Sequence, residues 1–178
     1  MNDRVTQRLL RDAQVLPIWE GTSNVLALDV LRALDRAEVP EALLPFVRRR
    51  LDTVEHDLLA DAAETVEAEF ENLKSALGRL ATADTDTAQY HAKRLADHIY
   101  DVVAATLLCV EGQRQIETDD DARKALVARR FVATRFDDEG ATAIGADATL
   151  GDDFFDVLAR YGSIDPTTLE ERLSQESD

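Results

Sequence analysis

The chain has 178 residues, 45% of them hydrophobic, which is enough for the core of one ordinary domain. Seven glycines and four prolines leave most of it free to be helical, and no apolar run approaches the ~18 residues that a bilayer span requires. Thirty-six acidic residues against twenty basic ones give a net charge of −16, which disfavours nucleic-acid binding, since that rests on Lys and Arg neutralising phosphates.

The basic residues are nearly all arginine; Lys74, Lys93 and Lys124 are the lysines, and aspartate outnumbers glutamate. An acidic, lysine-poor surface suits concentrated salt, where the Debye length falls to ~3 Å and self-repulsion is screened. A generically acidic protein is the plainer alternative. The single cysteine, Cys109, cannot form an internal disulfide and fits a reducing, cytoplasmic compartment. The start, "MNDRVTQRLLRD", is charged and amphipathic, unlike a signal peptide.

In chain order, residues 3–14 read as a short helix with Val5, Leu9 and Leu10 inward, ended by Pro17. Thr22 or Ser23 can cap a second helix carrying Val25, Leu28, Leu31 and Leu34. Pro40 and Pro45 open a third, whose apolar stripe of Leu44, Val47, Leu51, Val54 and Leu58 runs on through Ala62, Val66, Phe70, Leu73, Leu77 and Leu80. "TADTDT" (82–87) is a polar turn with aspartate caps, followed by a long helix through Leu95, Ile99, Val102, Val103, Thr106 and Val110. "TDDD" (118–121) caps another, with Leu126, Val127, Phe131 and Phe136. Residues 137–153 read as a glycine-containing loop, and short helices around 152–161 and 166–174 finish the chain. The expected architecture is all-α, an antiparallel helical bundle with no β domain.

Most candidate chemistry dissolves on inspection. His91 and His98 lie two turns apart, too far to bind one metal unaided, and read as partly exposed surface residues; His56 is isolated. Cys109, in "AATLLCV", reads as a small core residue. "GADATLG" lacks the lysine and strand context of a P-loop, and "DTDT" and "GDDFFD" lack the spacing of a calcium loop, so no metal site is expected. The arginine clusters Arg48–Arg50 and Arg129–Arg130 read as paired or solvated.

The exception is "VLPIWEGTSN" (15–24), where a carboxylate sits among Pro17, Ile18 and Trp19 just before a helix start. Poor solvation raises the pKa of Glu20 and makes it a stronger base once ionised. Gly21 admits close approach, and Thr22 with the free N–H groups opening the next helix can hold an anion. Equally, Glu20 can be a first-turn residue favoured by the helix dipole, with Trp19 a plug. Physics alone leaves the two readings even.

The tract "RLLRDAQVLPIWEGTSNVLALDVLRAL" (8–34) resembles the C-terminal segment of acyl-CoA dehydrogenases, with Arg11, Asp12, Ala13, Ile18, Glu20, Gly21 and Thr22 in register. Trp19 and "NVLALDVLRAL" are most similar to the branch that includes the adaptive-response flavoproteins of the alkylation-damage system, which carries an extra helical domain after the dehydrogenase core. With the acidic composition, the resemblance is to a haloarchaeal type. It implies an end of the dehydrogenase helical domain over 1–37 and an additional helical bundle over 38–178.

The resemblance further implies that Glu20 removes the α-proton of an acyl-CoA thioester while the β-hydride passes to FAD. Gly21, Thr22 and Asn24 would lie against the cofactor, Asn24 standing where the family often has glutamine. The implied chemistry is that of a fatty-acid-metabolism oxidoreductase, in a cytoplasmic homo-oligomer or with a second chain. A complete member also holds a β-barrel and further helices, so the expected isolated chain is inactive and does not hold FAD alone. A split subunit, a truncated product starting inside a longer ancestral gene, and a non-catalytic helical interaction module remain open as explanations.

Overall fold

The computed structural model describes residues 5–19, 23–36, 38–136 and 148–176. Their regular structure is entirely helical, with no strand among the described residues: α1 (Val5–Trp19), α2 (Ser23–Asp35), α3 (Glu38–Leu51), a 3-10 turn (Asp57–Leu59), α4 (Ala60–Leu80), α5 (Thr85–Asp119), α6 (Arg123–Phe136), α7 (Ala148–Arg160) and α8 (Pro166–Glu176). The expected all-α bundle is what forms.

The spine is α5, 35 residues long, or about 50 Å at 1.5 Å per residue. Helices α2, α3, α4 and α6 all pack against it. Asp84 starts it as anticipated, its carboxylate accepting from the Thr87 N–H and from the Thr87 hydroxyl at 2.9 Å each. It ends at Asp120, whose φ of 54° places it in the left-handed region, with its N–H returned to Ile116 O. Gly112 explains how tightly α6 can approach. A Cβ there would lie 2.9 Å from Ala125 Cα, backbone against backbone.

The core contains most of the stripe read from the sequence, with Leu59 added to it and Leu44, Val54, Leu77 and Leu80 only partly buried at its edge. Val47, Leu58, Leu59, Val66, Phe70, Leu73, Val102, Cys109 and Leu126 are all buried. Thr106 is buried with them, its hydroxyl donating to Val102 O at 2.8 Å. Burial pushes the Cys109 thiol up to about 11, as expected of a core residue.

Five readings are corrected. The stripe from Leu44 to Leu80 is continuous, but the helix is not: residues 52–56 break it. The opened backbone finds a partner on α5, because Gln113 Oε1 accepts from the N–H groups of Glu55 (2.6 Å) and His56 (3.1 Å) and Gln113 Nε2 donates to Thr53 O (2.8 Å). His56 is not isolated either. Its Nδ1 accepts from the Leu58 N–H and caps the 3-10 turn.

Pro17 does not end α1, which runs on to Trp19. So near the C-terminus a proline removes one intrahelical bond, that to Ala13, and no long run of helix lies beyond it to be disrupted. Pro40 likewise falls inside α3, which opens at Glu38 rather than at the proline, and Pro45 lies in its interior. Finally, α7 begins at Ala148. The expected loop is therefore shorter than 137–153; its first part, 137–147, lies outside the described residues.

The turn between α5 and α6 anchors the C-terminal pair of helices. Asp121 Oδ1 accepts from the N–H of Arg123 and of Ile164, both at 2.9 Å, and Oδ2 accepts from Gln115 Nε2 at 2.9 Å. The Ala122 N–H donates to Ile164 O at 2.7 Å. One buried carboxylate thus caps α6 and fixes the α7–α8 connection, beside which Phe154, Ile164 and Leu169 are buried.

Candidate functional site

The Glu20-Gly21-Thr22 tract lies between α1 and α2 in the sequence. Glu20, Gly21 and Thr22 fall outside the described residues, as do the side chains of Leu16 to Trp19. What is described is the frame. Helix α2 opens at Ser23, and Asn24 is exposed on its first turn with no hydrogen bond from its side chain to any described residue. The start of a 13-residue helix leaves N–H groups without intrahelical partners, a suitable place for an anion.

The frame is apolar and uncovered. Leu9, Leu10 and Val15 on α1 and Val25 and Leu26 on α2 are exposed, Leu10 to 60%. This corrects the inward reading of Leu9 and Leu10; the side chain of Val5 is outside the described residues. Helix α2 uses its other face for the bundle, burying Ala27 and Leu34 and setting Val30 and Leu31 against the core. Both helices bounding the Glu20 loop therefore display leucine and valine to solvent.

The arginine clusters are partly as read. Arg48 pairs with Glu67 across α3 and α4, with Nη1 to Oε2 at 2.8 Å, and this pairing raises its pKa. Arg129 donates to Leu58 O at 2.9 Å and reaches Asp61 at 3.2 Å. Arg130 departs from the pattern, since its Nη1 is buried without a hydrogen-bond partner.

The histidine reading misses a second feature. His91 and His98 line one cleft of about 500 Å³ between the end of α4 and the beginning of α5, together with Arg79, Arg94 and Leu95. The signal was legible: Thr87, His91, Arg94, Leu95 and His98 recur at three- and four-residue spacing on a single helix face. Among the described residues no group of three or more His, Cys, Asp or Glu converges on a possible metal position. None of the described helices is long and apolar enough to cross a membrane.

The described residues define an all-α bundle whose leading helices flank the Glu20-Gly21-Thr22 tract in sequence. Comparison with known proteins gives the chain a relative. The chain is 43% identical over 82 residues to "Acyl-CoA dehydrogenase family member 11" of Caenorhabditis elegans, an alignment covering 43% of this chain and 13% of the relative. The match supports the acyl-CoA dehydrogenase family and is longer than the tract 8–34. The chain thus spans a small fraction of the length of the protein it matches. No family model and no solved structure matches it.

Proposed function

We propose that the chain is the C-terminal portion of a flavin-dependent acyl-CoA dehydrogenase, with Glu20 as the base that takes the α-proton of an acyl-CoA thioester. The observation that carries this reading is the 82-residue similarity to an acyl-CoA dehydrogenase family member, joined to the Arg11-Asp12-Ala13 and Glu20-Gly21-Thr22 tracts. In this reading FAD, when bound, accepts the β-hydride. Glu20 holds and moves the proton, and its apolar neighbours Pro17, Ile18 and Trp19 keep water from it. Gly21 leaves room for the ligand, and Thr22 and Asn24 offer polar contacts at the opening of α2.

On this reading α1 and α2 supply one wall of such a site. Asn24 is exposed, and the flanking leucines and valines have nothing over them among the described residues. The remaining walls come from other parts of the enzyme, on this polypeptide, on a second chain or on another subunit. On this reading 1–37 closes the dehydrogenase helical domain, and 38–178 is the additional helical domain of the adaptive-response branch. The acidic surface is a halophilic, cytoplasmic one.

The test begins with a flavin absorbance spectrum of the protein purified from its own cells in high salt, with co-purifying proteins identified. Bound flavin together with a dehydrogenase core supports the proposal. Glu20→Gln should then lower turnover of an acyl-CoA by several orders of magnitude while leaving assembly intact. Turnover that survives the substitution removes Glu20 as base. A colourless, folded, helical species would instead favour the non-catalytic interaction module.

A further inference from the structure

The cleft between α4 and α5 belongs to neither the Glu20 loop nor the core. Its volume of about 500 Å³ falls within the ~300–1,000 Å³ typical of small-molecule sites. Its floor is apolar, formed by Ala76, Leu80 and Leu95, and its polar wall carries Arg79, His91 and Arg94. No carboxylate lines it, although the chain has 36 acidic residues.

Three carboxylates on the adjoining turns have other partners. Asp84 accepts from Thr87, Asp97 pairs with Lys93 at 2.6 Å, and Glu69 faces His98 Nε2 at 3.5 Å. Arg79 and Arg94 themselves make no ion pair within 4 Å with any described residue. Two guanidiniums without a counter-charge at the rim of an apolar cleft, on a strongly acidic protein, form a site for an anion with an apolar body.

We propose that this cleft binds an amphipathic organic anion, its carboxylate or phosphate head held by Arg79 and Arg94 and its apolar part laid on Leu80 and Leu95. Guanidinium forks suit both head groups, so the shared chemistry is a planar or tetrahedral oxyanion on an aliphatic or aromatic body. Asn72 and Thr87 also line the cleft, with Asn72 Nδ2 donating to Glu69 at 3.1 Å and the Thr87 hydroxyl to Asp84 at 2.9 Å.

Isothermal titration of the full chain with octanoate, octyl phosphate, inorganic phosphate and octanol tests this. The expected result is saturable binding of octanoate or octyl phosphate, tighter than either inorganic phosphate or octanol. The stronger of the two anions identifies the natural head group. Arg79→Gln and Arg94→Gln are exposed, unpaired positions, so the fold should hold by circular dichroism. Each should weaken the anion by about tenfold, the loss of one charge-assisted hydrogen bond. Absence of saturable binding by both anions, octanol binding as tightly as they do, or undiminished affinity in the double variant would each overturn the proposal.

Discussion

Residues 58–132 and the helix pair ahead of them are written in the same alphabet of leucine, valine and alanine at helical spacing, yet they reach opposite environments. In the first region Leu59, Val66, Leu73, Val102 and Leu126 are sealed from solvent. In the second, Leu9, Leu10, Val15, Val25 and Leu26 stand open. Amphipathicity specifies that a face wants a partner; it does not specify whether that partner lies in the same bundle. The comparison implies that stability resides in the α4–α5–α6 region with the inner face of α2 packed on it, and association in α1 and the outer face of α2.

The largest test of that division is Phe70→Ala. Phe70 is 2% exposed and lies beneath the Arg48 guanidinium, 5.1 Å from its ring centre. Truncating a large core aromatic costs about 3–5 kcal/mol. Urea unfolding should show the midpoint falling with the slope unchanged. A loss under about 1 kcal/mol would mean that the bundle does not depend on this layer.

Next is Asp121→Ala. Removing the carboxylate strips α6 of its cap, about 1 kcal/mol, and orphans the buried Ile164 N–H, about 1–3 kcal/mol more. The signature should be local as well as global: amides of the α7–α8 connection should exchange faster with deuterium than those of α4. Uniform acceleration would contradict the anchoring role.

Cys109 offers a smaller effect with a definite sign. Its folded pKa, raised to about 11 from 9.0, means that the folded state keeps its proton where the unfolded chain has lost it. Stability is therefore fully present below pH 9 and declines as pH rises towards 11, by about 1 kcal/mol at pH 10. That component should be absent from Cys109→Ala. Iodoacetamide should label the thiol in denaturant only.

How much of this was legible depended on where each residue's partner sits. The stripe of Val66, Phe70 and Leu73 was readable because each finds its neighbours inside the chain. The break at 52–56 was not, since it is stabilised by Gln113, 57 to 60 residues away in sequence. Leu9 and Leu10 satisfied the helical pattern and were read inward because periodicity carries no information about what covers a face. The reading of Glu20, Gly21 and Thr22 rests on resemblance and local chemistry alone, since these residues lie outside the described ones. The cleft on α5 was readable in principle from the spacing of His91, Arg94 and His98. Its other wall, Arg79 and Ala76, arrives only when the α4–α5 turn folds back, which spacing along α5 does not carry.

Leu10→Ser should produce the smallest change in stability and the sharpest separation of the two regions. The side chain is 60% exposed, so replacing it removes little buried area and should shift stability by no more than about 0.5 kcal/mol. If α1 and α2 form one wall of a larger assembly, the same substitution sits where that assembly would close. Co-purification of a dehydrogenase core, or self-association in sedimentation, should then weaken by about tenfold or more, because burying one leucine at an interface is worth about 1.5–3 kcal/mol. A variant as stable as the parent but unable to associate would place association in the leading helices. A variant that loses stability would show that α1 docks on its own bundle, and the contrast between the two regions would fall with it.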